Sequence, residues 1–182
     1  MTELDKILDT AGRQHGYVAN YQVDTSRQMF SHYASSGRLE RVYRGIYRAA
    51  HFPTSEHEEL IVAYLWSRQR GVISHQTALF IHDLSDVLPG DTHLTYPTDE
   101  PLPHGPPDWL QVVRGNVPDD HRQWYDIVEL TTPTRTLLDL ARRGFNPDRF
   151  QQALHEAHSR GLIPDDFERT VISELMSRRA TP

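Results

Sequence analysis

The 182-residue sequence predicts an α/β protein: an N-terminal winged helix-turn-helix followed by a mixed α/β domain with a small sheet. Three observations carry this expectation. Short helical patterns lead into an Arg-rich alternating stretch within the first 50 residues. Beyond it, strand-like runs alternate with capped helical patterns. Charge divides at nearly the same place. Residues 1–48 hold seven basic and five acidic residues, a net +2, whereas residues 49–182 hold 12 basic and 20 acidic, a net −8. A basic head on an acidic body points to a localised anion-binding surface. The expected domains are therefore 1–50 and 51–182.

In the head, Leu4, Ile7, Leu8 and Ala11 share one helical face, and Gly12 can end that helix. "GYVANYQV" reads as a second short helix with Val18, Tyr21 and Val23 turned inward. Thr25 and Gln28 match a capping box that opens a third helix. Its Phe30, Tyr33 and Ala34 share the buried face, and Gly37 ends it. Leu39, Val42 and Ile46 then alternate with arginines. Tyr43-Arg44-Gly45 reads as the hairpin turn, since Gly45 can take a positive φ.

In the body, Ser55 and Glu58 match a capping box for a helix through Leu60, Ile61, Tyr64 and Leu65 that runs toward Gly71. Ser74 is placed to cap a short helix that buries Ala78, Leu79 and Ile81. "THLTYP", "DWLQVVRG" and "DIVELT" read as strands, and the Pro-rich "PTDEPLPHGPPD" as a loop among them. Thr132-Pro133 starts a helix through Leu137, Leu138 and Leu140 that Gly144 closes. Asn146-Pro147 starts the next, which Gly161 ends, and Pro164 opens the last.

The polar face of the third helix has the chemistry to enter a major groove. Arginine reads guanine bidentately, glutamine reads adenine, and serine bonds bases or phosphates. Ser26, Arg27, Gln28, Ser31, His32 and Ser35 are the expected contacts there. Arg38, Arg41 and Arg44, on the wing, are expected to hold the phosphate backbone, and Tyr43 is a further expected DNA contact. The alternative is a merely solvated helix face beside an ordinary edge hairpin.

The segments "SSGRLERVYRGIYR", "VISHQTALFIHDLSDVLPGDTHLTYP", "ELTTPTRTLLDLARRG" and "ALHEAHSRGLI" occur in this order and cover most of the chain. Together they resemble the AbiEi family of bacterial antitoxins, most specifically in Pro133-Thr134-Arg135-Thr136-Leu137 running into Asp139. The resemblance implies a DNA-binding antitoxin of a two-gene module that represses its own promoter through the winged helix. Its implied partners are double-stranded operator DNA and a cognate nucleotidyltransferase-like toxin, countered with the help of the C-terminal domain, with no cofactor. Dimerisation on DNA and a part in phage defence stay open. So does a reading in which direct contact neutralises the toxin without specific DNA binding. The third helix is poorer in arginine than the family pattern. Related chains can carry a terminal nuclease domain, for which 182 residues leave no room.

Other chemistry finds little support. There is no cysteine, hence no disulfide framework or thiolate metal site. No apolar run approaches the roughly 20 residues that span a bilayer, and the start does not read as a signal peptide, which fits a cytoplasmic protein. His155 and His158 in "HEAH" are three apart, not the four of the zinc-protease pattern, so no metal is expected. Lys6 is the lone lysine, and no phosphate-cradling glycine loop or nucleophile elbow occurs, so no enzymatic activity is expected. Arg135 and Asp139, four apart, are expected to pair on a helix surface, worth a few tenths of a kcal/mol.

Overall fold

The computed structural model describes residues 2–172 and shows a mixed α/β chain in two compact units. The first unit contains the residues up to Arg70 together with Leu102–His104, and the second Gly71–Pro101 with the residues from Gly105 onward. The first unit thus extends past the expected boundary at residue 50, because a third helix packs on its sheet.

Within the first unit, α1 (Glu3–Gly12) opens with a reciprocal cap. Asp5 N donates to Thr2 Oγ1, and Thr2 N donates to Asp5 Oδ2 at 2.7 Å. Ile7 and Ala11 of α1 are buried. "GYVANYQV" is not a helix. Tyr17–Ala19 forms strand β1, and residues 20–25 turn. Val18 and its neighbours gain an antiparallel partner in β3 (Ile46–Ala49), with Val18 opposite Tyr47, and that pairing outweighs the helical periodicity. Gln22 Oε1 accepts from Ala19 N, which fixes the turn.

Helix α2 (Arg27–Ser35) follows, capped by Ser26 and not by the expected Thr25. The hairpin of β2 (Leu39–Tyr43) and β3 completes a three-stranded sheet in the order β1-β3-β2. A strand and a turn stand where the second of the three expected helices is placed, so the expected three-helix head is not formed. At the wing tip Gly45 has φ +76°, and a Cβ there would lie 3.2 Å from Asn20 Oδ1, so the position favours glycine twice over. Helix α3 (Glu58–Trp66) starts at Glu58, because the Ser55 hydroxyl accepts from His57 N and does not cap it. Leu60 through Trp66 are all buried, so the helix is apolar all round and stops at Trp66, short of Gly71. Tyr17 Oη donates to Glu58 Oε2 at 2.6 Å. Burial first, and then this bond, push the Tyr17 phenol up to about 12.

In the second unit, β4 (Val72–Ile73), β5 (Thr92–Tyr96), β6 (Leu110–Arg114), β7 (Arg122–Tyr125) and β8 (Val128–Thr131) form a mixed sheet in the order β6-β5-β4-β8-β7. Strands β4 and β7 are not among the expected strands. Val72–Ile73 is two residues long, and its identity comes from pairing with β5 and β8. Helix α4 (His75–Ile81) begins after Ser74 as expected, but the Ser74 side chain makes no capping bond, and Ile81 is only half-buried. Helices α5 (Pro133–Arg142) and α6 (Pro147–Ser159) start where Thr132-Pro133 and Asn146-Pro147 place them, each capped by the side chain before the proline. Leu79, Leu137, Leu140, Leu154 and Phe167 share their core. The last helical segment begins at Phe167 instead of Pro164, and residues after 172 lie outside the described part.

Arg135 and Asp139 do pair, with Nε to Oδ2 at 2.8 Å, but not on a surface. The Asp139 side chain is 8% exposed, and Arg142 approaches its other oxygen at 3.5 Å. Breaking such a buried pair costs several kcal/mol, not the few tenths of an exposed one.

The cap of α6 gives a first expected result. Asn146 Oδ1 accepts from Arg149 N at 3.1 Å. Asn146→Ala should therefore cost about 1 kcal/mol of stability, read from urea unfolding of the full chain. An unchanged midpoint would mean the cap contributes nothing.

Candidate nucleic-acid interface

The core of the first unit decides how α2 is presented. Phe30 is fully buried and stacks on Tyr47 of β3, ring centroids 5.0 Å apart, a contact worth about 0.5–1.5 kcal/mol that ties the helix to the hairpin. With Phe30 inward, Arg27, Gln28, Ser31, His32 and Ser35 are exposed, as expected. Gln28, His32 and Ser35 follow i, i+4, i+7 and form one stripe. Arg27 and Ser31 form a second stripe, which lines a cleft.

Three of the expected contacts have work inside the fold. Ser26 is exposed, but its hydroxyl accepts from Met29 N as the helix cap. Ser31 and Ser35 donate their hydroxyl protons to the carbonyls of Arg27 and Ser31, at 3.2 and 2.9 Å. Both serines keep lone pairs to accept from a base, whereas donating to a phosphate would break these bonds.

On the hairpin side, Arg38, Arg41 and Arg44 are exposed, and Tyr43 is half-buried. Among the described residues, Arg27, Arg38, Arg41 and Arg44 form no ion pair. Arg48 differs from them. Its guanidinium pairs with Glu40 and donates to Phe52 O, so it serves the hairpin.

The cleft lies within the first unit and measures about 330 Å³. Arg27, Arg41 and Arg44 line it together with Arg68, which follows α3, and His104. No Asp or Glu is among its lining residues. Arg68 has φ +55°, and its guanidinium sits 5.6 Å from the centre of the Tyr21 ring, whose hydroxyl donates to Leu65 O. The His104 ring lies 5.9 Å from Tyr43 and 6.0 Å from Trp66. Its Nε2 is buried without a hydrogen-bond partner. Burial, then the charges of Arg44 and Arg68, hold the His104 imidazole below its ordinary pKa.

Arg68, Tyr21 and His104 were not among the expected site residues. Nothing local marks them. Arg68 reaches the cleft through a left-handed turn after α3, and His104 belongs to a Pro-rich stretch far along the chain that sequence reading treats as a loop. Among the described residues no group of three metal-ligating side chains gathers, and no helix is long and apolar enough to cross a membrane.

No family model matches the chain, and no curated protein matches it. A solved structure does. The RV2827C protein from Mycobacterium tuberculosis is similar over 85% of this chain and 72% of its own, at 14% identity and a TM-score of 0.51. The likeness lies in the fold alone.

Proposed function

We propose that the chain is a sequence-specific duplex-DNA-binding protein that represses its own promoter and acts as the antitoxin of a two-gene module with a nucleotidyltransferase-like toxin. The observation that carries the DNA reading is the exposed chemistry of the helix and hairpin of the first unit. It offers the exposed stripe of Gln28, His32 and Ser35 on the helix, and the exposed Arg27, Arg38, Arg41 and Arg44, which form no ion pair among the described residues. In this reading the stripe enters the major groove, where Gln28 pairs with an adenine edge. Arg38, Arg41 and Arg44 hold phosphates from the wing and Arg27 does so from the helix start. The antitoxin role is supported by the ordered segments that resemble the AbiEi family, from "SSGRLERVYRGIYR" to "ALHEAHSRGLI".

A mobility-shift assay with the chain's own upstream DNA tests this reading. Wild type is expected to prefer that DNA over a scrambled duplex. Gln28→Ala should erode the preference by about 1–3 kcal/mol, the worth of one bidentate base contact. Equal affinity of wild type for both duplexes sinks the proposal.

A further inference from the structure

The cleft lined by Arg27 and Ser31 holds more than a duplex needs. Of its lining side chains, Arg68 and His104 lie on neither the helix nor the hairpin that a winged helix offers to DNA. Arg27, Arg41, Arg44 and Arg68 line the cleft, and no Asp or Glu is among the lining residues, so it favours an anion. Arginine forks match phosphate oxygens bidentately, and Arg is the residue type suited to that geometry. Volume also matters. At about 330 Å³ the space falls in the small-molecule range of roughly 300–1,000 Å³ and is far larger than a phosphate group alone requires. Tyr21, Tyr47, Trp66 and His104 give it an aromatic lining, and the buried His104 Nε2 still lacks a partner. Finally, Arg68 and Gln69 both hold positive φ, a conformation that costs non-glycine residues about 1 kcal/mol or more each and concentrates at functional sites. That backbone sets the Arg68 guanidinium over Tyr21 at the cleft.

We propose that this cleft binds a phosphorylated nucleoside, its phosphates on Arg27, Arg41, Arg44 and Arg68 and its base among the aromatic side chains beside His104. The ligand and a duplex draw on the same three arginines, Arg27, Arg41 and Arg44, so they compete, and the nucleotide is an effector that releases DNA. The competition rests on the DNA-binding reading above; the nucleotide site itself does not.

Calorimetric titration of the full chain, without DNA, with ADP, inorganic pyrophosphate and adenosine tests the site. ADP is expected to bind at least about tenfold more tightly than pyrophosphate, and adenosine to give no heat. Arg68→Ala should weaken ADP by about tenfold or more. Should that variant fail to fold by circular dichroism, Arg68→Lys keeps the charge and loses the planar fork, and a similar loss is expected. No ADP binding up to about 5 mM, equal binding of ADP and pyrophosphate, or ADP binding unchanged in the folded Arg68 variant would each overturn the assignment. In a second experiment, ADP is added to the complex with upstream DNA and should release it. ADP that binds but never displaces the duplex overturns the competition. If the chain ignores DNA while ADP titrates as expected, the DNA reading fails and the nucleotide site stands.

Discussion

Changing Arg27, Arg41 and Arg44 together to alanine is expected to remove operator binding while leaving the chain folded and protective. Each arginine in this reading supplies a charge-assisted bond to DNA, worth about 1.5–3 kcal/mol, so losing three weakens binding by roughly a thousandfold or more. The salt dependence should fall as well, by about one unit of slope for each phosphate contact removed. Folding is expected to survive because all three side chains are exposed and form no ion pair among the described residues, and such substitutions usually stay within about 0.5 kcal/mol. None is part of the Phe30–Tyr47 stack that ties α2 to the hairpin. Protection is scored with toxin and variant expressed from independent promoters, so that lost repression cannot masquerade as lost neutralisation. A folded triple variant that no longer protects would show DNA binding to be part of neutralisation, and the two activities would not be separable.

How much of this surface could be read from the sequence depends on how local its determinants are. The two faces of α2 follow from i, i+3, i+4 spacing, and Gly37 stops the helix with φ +71°, all within a dozen residues. The caps at Thr132 and Asn146 are equally local, a side-chain acceptor followed by proline. Strand β1 was not legible, because Tyr17–Ala19 becomes a strand only by pairing with residues 46–48, and its local spacing favours a helix. Asp139 shows the same limit in energetic form. Its spacing from Arg135 announces a pair, but only the packing of α5 decides that the pair is buried. The cleft is the extreme case. Its arginines come from α2, the hairpin and the turn after α3, and His104 comes from a distant loop. No pattern in a single stretch could assemble them.

In the second unit, stability is expected to fall by about 3 kcal/mol between pH 6.5 and pH 4, and His75 is the group that causes it. The residue is 4% exposed, and burial drives its pKa from 6.5 down to about 4. Asp139 works against this shift, while Arg143, His93 and Arg135 add to it. Its Nδ1 lies 2.9 Å from Ser74 Oγ, which already accepts a proton from Thr95 Oγ1 at 2.8 Å. Ser74 therefore has its own hydroxyl proton to give, and Nδ1 accepts it in the neutral ring. Protonating that nitrogen in place would reverse the bond and bury a charge. The sign follows from proton counts. Below pH 6.5 the unfolded chain takes up a proton that the folded chain refuses until about pH 4, so stability is full above 6.5 and drains as pH falls through that window. His75→Asn separates titration from strain. The residue holds φ +54°, and asparagine is among the few residues that tolerate this conformation, so the variant keeps the backbone and cannot titrate. His82 and His93 are also held below their ordinary pKa by burial, so the variant should retain a residual slope. Urea unfolding of both proteins across pH 4 to 7 gives the comparison. The curve of the His75→Asn variant should be flatter by about 3 kcal/mol over that range. Parallel curves would mean that His75 is already protonated in the fold or is not held apart from water at all.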